Sequence, residues 1–337
     1  MPPTDPAVPS VPADYEWRDD AFTLSGAMDL HFGGRLACVE VAYRLAGASG
    51  APVVAVLGGI SAGRDVFSLR PDAPGWWEEA VGPGRALDTD RFRALGIDFL
   101  GGSHRTTGPA AGESFPSVSA FDQARMLVAL LDHLGIDRLQ GSLGASYGGM
   151  VTLALAQAHP GRLRHAVVLS AAHRTHPMST AWRSVQRAIV RYALGHGEGV
   201  RGLALARALA MATYRSAREF EERFPGPPDA TPDGFRFPVE SYLFARGASY
   251  AARYRPEAFV CLSESIDLHR VEPAEIRVPT TLLAVQEDQL VPLADMRALR
   301  DRHGGNCSLV EISSIYGHDA FLKETEVLRD LLARALD

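Results

Sequence analysis

Cysteine is scarce in this chain. Only Cys38, Cys261 and Cys307 occur in 337 residues, an odd and widely spaced set. Such a set argues against a disulfide framework and points to a reducing compartment, the cytoplasm. No His/Cys spacing resembles a metal site, and no metal is expected. Long basic runs are absent as well. The formal net charge is −6 and the pI is near 6.0, so nucleic acid and anionic membranes have no electrostatic footprint here. No apolar run approaches the roughly 18 residues that suggest a membrane span. The start, MPPTDPAVPSVPADYEW, is rich in proline and lacks the basic and apolar regions of a secretory signal. Residues 1–18 are expected to form a flexible tail.

What is present is apolar material in a regular order. The chain is 46% hydrophobic and 22% charged, enough to bury a large core in one unit. Short apolar runs at 36–45, 53–57, 94–100, 166–170, 280–285 and 308–312 read as strands. They alternate with helical patterns such as 121–134, where Met126, Leu127, Leu130, Leu131 and Leu134 recur at helical spacing before a stop at Gly135. This alternation predicts a mostly parallel sheet with helices on both faces. Between 173 and 279 strand signals vanish. Helical stretches are predicted around 180–193, 201–214, 217–224 and 240–254, interrupted by a Pro/Gly-rich loop, FPGPPDATPDGF. The expected organisation is a core of residues 19–172 and 280–337 with a helical lid, 173–279, over the sheet edge where open α/β sheets bind ligands.

The most specific motif is Gly144-Ala145-Ser146-Tyr147-Gly148, a G-x-S-x-G between a strand-like run and a helical one. A strand that turns sharply into a helix strains the serine backbone and needs small neighbours. In return the hydroxyl projects into the cleft at a helix N-terminus. The order serine, acid, histidine then predicts the partners. Asp288 follows the strand at 280–285, with Glu287 as the alternative one residue away, and His318 follows the strand at 308–312. Three elements in the required order indicate an α/β-hydrolase fold with Ser146 as nucleophile. The Gly58-Gly59 turn is read as the oxyanion loop, with the backbone N–H groups of Ile60 and Tyr147 as donors. His173 and His176 flank the lid entrance.

A triad alone does not select a reaction. Trp76-Trp77, VGPGRALDTDRF, Thr107-Gly108-Pro109, GASYGGM, Thr213-Tyr214-Arg215-Ser216, Val239-Glu240-Ser241-Tyr242-Leu243 and YGHDAFL at 316–322 resemble the homoserine O-acyltransferases of the α/β-hydrolase type. The resemblance runs from about Leu36 to the C-terminus. It implies a two-step acyl transfer from acyl-CoA, a co-substrate rather than a resident cofactor, to homoserine in methionine biosynthesis, by a cytoplasmic homodimer. It further implies that Arg215 holds the amino acid's carboxylate and that Asp319 lies near its ammonium. Three departures concern the donor side: GGSHRTTGP replaces a Cys-containing run, AAGESFP is short, and Tyr147 stands where methionine is common. Arg105, in the first of these, is the candidate partner for the distal carboxylate of a succinyl donor, which favours succinyl-CoA over acetyl-CoA. A serine O-acyltransferase, an esterase and a non-catalytic binding protein are the competing readings.

Overall fold

In the computed structural model, which describes residues 14–70 and 72–336, the apolar runs form the centre of an eight-stranded sheet. Its strands are β1 (Tyr15–Thr23), β2 (Glu40–Ala48), β3 (Val53–Leu57), β4 (Arg93–Ile97), β5 (Gly141–Ala145), β6 (Ala166–Leu169), β7 (Thr280–Val285) and β8 (Cys307–Ile312). They lie in the order β1-β2-β4-β3-β5-β6-β7-β8. The β1–β2 and β2–β4 pairs are antiparallel and the remaining pairs parallel. Period-two alternation explains the continuous apolar runs. In β3, Val53, Ala55 and Leu57 enter one core while Val54 and Val56 enter the other. In β6, Ala166 and Val168 face the first core, and Val167 and Leu169 the second. A strand covered on both sides has no face to leave polar.

Helices α1 (Ala120–His133) and α2 (Tyr147–Ala158) contribute their apolar stripes to the first core. α1 opens on a capping box between Ser119 and Asp122 and ends before Gly135, whose φ of 67° favours glycine. α8 (Leu293–Arg302) adds Met296 and Leu299 on the same side. α9 (Thr325–Leu336) covers the opposite side with Leu328, Leu331, Leu332 and Leu336. Between β6 and β7 the chain leaves the sheet for α3 (Pro177–Gly195), α4 (Gly199–Tyr214), α5 (Ala217–Arg223), α6 (Pro238–Ala251) and α7 (Pro256–Asp267). It leaves and returns side by side. Arg174 and Arg270 form an antiparallel bridge, and the Val271 N–H donates to the His173 carbonyl at 2.9 Å. Arg183 and Arg187 of α3 both reach Asp267 of α7, at 2.7 and 2.5 Å. No helix among the described residues is long and apolar enough to cross a membrane.

Several expectations need correction. The flexible tail of residues 1–18 extends too far, because β1 begins at Tyr15 and pairs with β2 along its length; residues 1–13 lie outside the described residues. β1 escaped the apolar pattern because it is a polar edge strand. The strand expected at 36–45 starts at Glu40 instead, since Arg35–Leu36 pairs with Met28–Asp29, and it runs on to Ala48 opposite β1. The Pro/Gly-rich loop at 224–235 contains a short hairpin, Asp229–Thr231 against Gly234–Arg236. α7 was absent from the expected helices.

Candidate active site

Ser146 sits where β5 becomes α2. Its φ of 54° and ψ of −119° are a conformation that L-residues avoid, held here by the surrounding chain. The two motif glycines show why. A Cβ on Gly144 would lie 2.2 Å from the Gly148 carbonyl oxygen, and one on Gly148 would lie 2.1 Å from the Leu57 carbonyl oxygen. The Gly148 N–H donates to the Gly58 carbonyl at 2.8 Å. This bond ties the elbow to the turn after β3.

The partners arrive from the ends of β7 and β8. The His318 Nε2 is 2.9 Å from the Ser146 Oγ, and its Nδ1 is 2.7 Å from Asp288 Oδ2. A carboxylate only accepts, so Nδ1 carries the hydrogen and Nε2 is free to accept from the serine hydroxyl. The other Asp288 oxygen accepts from the backbone N–H groups of Leu290 and Val291 at 2.8 and 3.0 Å. Those bonds fix the carboxylate and decide between the two acids. Glu287 instead turns to Ser313 and Ser314. Burial pushes the His318 imidazole down, but Asp288, with Asp319 beyond it, more than offsets this, and its pKa is raised above the ordinary 6.5.

The triad opens into a cavity lined by Ile60, Trp76, Arg174, Arg207, Tyr214 and Asp319, among others. The N–H groups of Ile60 and Tyr147 have no backbone partner among the described residues, and the second directly follows the nucleophile. Asp319 is mostly withdrawn from solvent, its side chain 13% exposed, and desolvation raises its pKa in spite of Arg215 alongside. Arg207 projects from α4, stacks over the rings of Tyr214 and Tyr250 at 5.0 and 4.6 Å, and donates to the Tyr214 hydroxyl at 3.2 Å. No carboxylate lies within ion-pair distance of it among the described residues. A guanidinium on a cavity wall with no direct ion-pair partner is a ready partner for an anion. His176 also reaches the cavity, whereas His173 is buried at the lid's root, where burial lowers its pKa.

Two candidate residues are not brought to this cavity. Arg215 is spent on protein carboxylates. Its Nη1 reaches both oxygens of Glu219, at 3.0 and 3.1 Å, and its Nε is 3.1 Å from Asp319, though not aligned for a hydrogen bond. It belongs to a joint that docks the lid on the triad loops: Ser216 Oγ donates to the Ile315 carbonyl at 2.5 Å, and Gln289 Nε2 to the Arg215 carbonyl at 2.9 Å. Arg105 is about half exposed and pairs with Glu40 at 3.2 Å, away from the cavity. An exposed guanidinium with a carboxylate beside it gains little by moving inward. Arg207 was missed by the sequence reading, although the signal existed. It lies seven residues before Tyr214, two helical turns, so both project from the same face of α4.

A family model described as alpha/beta hydrolase fold matches residues 52–325. A homoserine O-succinyltransferase from Xanthomonas campestris pv. campestris is 46% identical over 302 residues, covering 88% of this chain and 79% of that protein. A homoserine O-acetyltransferase from Clavibacter michiganensis subsp. michiganensis is 34% identical over 376 residues, covering 97% and 96%. The crystal structure of a homoserine O-acetyltransferase from Bacillus anthracis superimposes with a TM-score of 0.86 at 18% identity, covering 95% of this chain and 99% of that one. That last likeness speaks for the fold. Sequence, fold and triad geometry agree: this chain belongs to the α/β-hydrolase family, in the group that contains the homoserine O-acyltransferases.

Proposed function

We propose that this chain transfers an acyl group from acyl-CoA to the side-chain hydroxyl of homoserine, through an ester on Ser146. In the first step the Ser146 oxygen attacks the thioester carbonyl while His318 Nε2 takes the hydroxyl proton. The oxyanion that forms is held by the N–H groups of Ile60 and Tyr147 at the N-terminus of α2. Collapse breaks the C–S bond, and His318 returns its proton to the departing thiolate. In the second step the homoserine hydroxyl gives its proton to His318 and attacks the acyl-serine, and Ser146 leaves with that proton. The observation that carries this reading is the pairing of opposite charges beside the triad. Asp319 and Arg207 both line the cavity and match the ammonium and carboxylate of an amino acid. An esterase for neutral esters has no use for such a pair. The names of the relatives above support the same reaction.

For the donor, the name of the Xanthomonas relative supports succinyl-CoA. With Arg105 withdrawn, the cation available to a distal carboxylate is Arg174. It lines the cavity and pairs only loosely, at 4.0 Å, with Asp295. The test measures free CoA thiol with acetyl-CoA or succinyl-CoA, each with homoserine, serine or neither. Release that needs homoserine and runs faster with succinyl-CoA is expected. Equal release without an amino acid would make the chain a hydrolase, and an acyl adduct on Ser146→Ala, seen by intact mass, would remove Ser146 as nucleophile.

A further inference from the structure

The lid does more than roof the cavity; it grips both backbone segments that carry the oxyanion donors. On one side, the Tyr254 hydroxyl donates to the Ile60 carbonyl at 2.7 Å. Tyr254 follows α6, is 5% exposed, and stacks on Tyr250 at 4.9 Å. On the other side, Tyr147 lies wholly buried, and its hydroxyl is 2.7 Å from Ser265 Oγ on α7. The Gln123 side-chain amide donates to the same hydroxyl at 3.2 Å and to the Leu100 carbonyl at 2.8 Å, while its oxygen accepts from the Leu100 N–H at 2.9 Å. Between Tyr147 and Ser265 either hydroxyl can be the donor. Phe99 packs edge-on against the Tyr147 ring at 5.0 Å. Burial pushes both phenols above their ordinary pKa, so neither is charged near neutral pH.

These contacts come from the two ends of one helix. Tyr254 lies two residues before α7 begins, and Ser265 lies two residues before it ends. Between them α7 is seated tightly on the loop after β4. A Cβ on Gly101 would lie 2.7 Å from Cys261 Sγ, and Arg255 donates to Ser103 Oγ and to the Gly102 carbonyl at 2.8 and 2.9 Å. The turn bearing Ile60 is also held by the Gly148 N–H on the Gly58 carbonyl at 2.8 Å and by His104 Nε2 at 3.3 Å from the Ser61 carbonyl, while the Ile60 carbonyl itself takes its hydrogen bond from Tyr254. Ala62 N–H bonds Gly59 O at 2.9 Å, but Gly59 carries no side chain to pack. An oxyanion donor must be aimed before charge develops, since a donor that first has to reorient returns less to the transition state.

We propose that Tyr254 and Tyr147 are positioning residues for the oxyanion hole, anchoring its two N–H groups to lid helix α7 through their hydroxyls. The proposal rests on the acyl-transfer reading, which supplies the oxyanion. Tyr254→Phe and Tyr147→Phe keep the rings and remove only the hydroxyls, and Ser265→Ala trims the Tyr147 anchor from the lid side. The expected result is a fall in kcat of about 10-fold for each, less than the 10²–10³-fold of losing a donor outright, with both KM values within about 2-fold. The readout that plain destabilisation would not move is affinity for a boronic acid, which forms a tetrahedral adduct on the serine. It should weaken in step with kcat, while thermal unfolding shows each variant folded at assay temperature. Wild-type kcat in all three variants, or a lower kcat with unchanged boronate affinity, would overturn the proposal. Should one variant fail to fold, the other two decide. A Ser146→Ala control separates the two levels: boronate affinity that survives in it refutes the nucleophile assignment, whereas its loss there, with unaffected tyrosine variants, refutes the anchors alone.

Discussion

His318 is enclosed by two carboxylates of different duty. Asp288 bonds its Nδ1, while Asp319 adds field without touching it. Because the pKa is raised, the imidazolium persists to higher pH than in free histidine, and an imidazolium cannot accept the serine proton. Activity should therefore fall as pH drops, with the acid limb of kcat/KM centred above 6.5. Asp288→Asn removes the chief charge holding that pKa up. It should move the limb to lower pH and reduce turnover by about 10³–10⁴-fold. A pH–rate profile of both proteins checks this, and a limb that stays in place would assign it to another group. The two arginines invite a second comparison. Arg207→Met should raise KM for homoserine by about 10–100-fold, the worth of one or two charged hydrogen bonds, and spare the acylation burst seen without homoserine. Arg215→Met should act through stability, because it strands the buried Glu219, although Arg223 also reaches that carboxylate at 3.0 Å. Thermal melts beside homoserine titrations separate the two, and a KM effect confined to Arg215→Met would restore Arg215 as the carboxylate holder.

At the scale of elements, the elbow works because β5, α2 and the end of β3 meet almost without side chains. Gly148 is the tightest point of that meeting. Gly148→Ala forces either the Leu57 backbone or the start of α2 to move, and overpacking of this kind costs about 1–3 kcal/mol. Chemical denaturation should show that loss together with a large fall in acylation rate, since any shift of α2 carries Ser146 with it. A variant as stable and as active as the wild type would mean that the elbow has slack its geometry denies. The elements most readable from sequence were those buried on both faces, such as β3 and β7, where composition alone marks them. β1 was not readable, because an edge strand needs only one partner and tolerates charge along its length. α7 was not readable either. It begins at Pro256 directly after Tyr254-Arg255, and its short apolar stretch, 258–262, does not by itself separate helix from strand.

Over the whole molecule, the residues that could be read in advance were those whose chemistry is local. Ser146, Asp288 and His318 each close a strand in a fixed order, and each is of a type that has few other reasons to stand there. Asp288 and Glu287 could not be ranked from sequence, because the deciding N–H groups of Leu290 and Val291 exist only once the turn is folded. Arg207 looked like any cation on an amphipathic helix. Its meaning comes from its place on the cavity wall with no carboxylate at ion-pair distance among the described residues, a property of the tertiary structure alone. Arg105 misled for the complementary reason: no residue of its loop lines the cavity, and its side chain has a nearer partner in Glu40.

The grip of Tyr254 on the turn after β3, and of α7 on the elbow, bears on how this architecture can be taken apart. The helical insertion is not an accessory module that can be trimmed while a simpler hydrolase is left intact, because part of the catalytic scaffold is stored inside it. Exchanging insertions between relatives would therefore transplant rate along with selectivity. A graft whose residues at 254 and 265 do not suit the recipient's turn and elbow would yield a protein that folds, binds and reacts slowly.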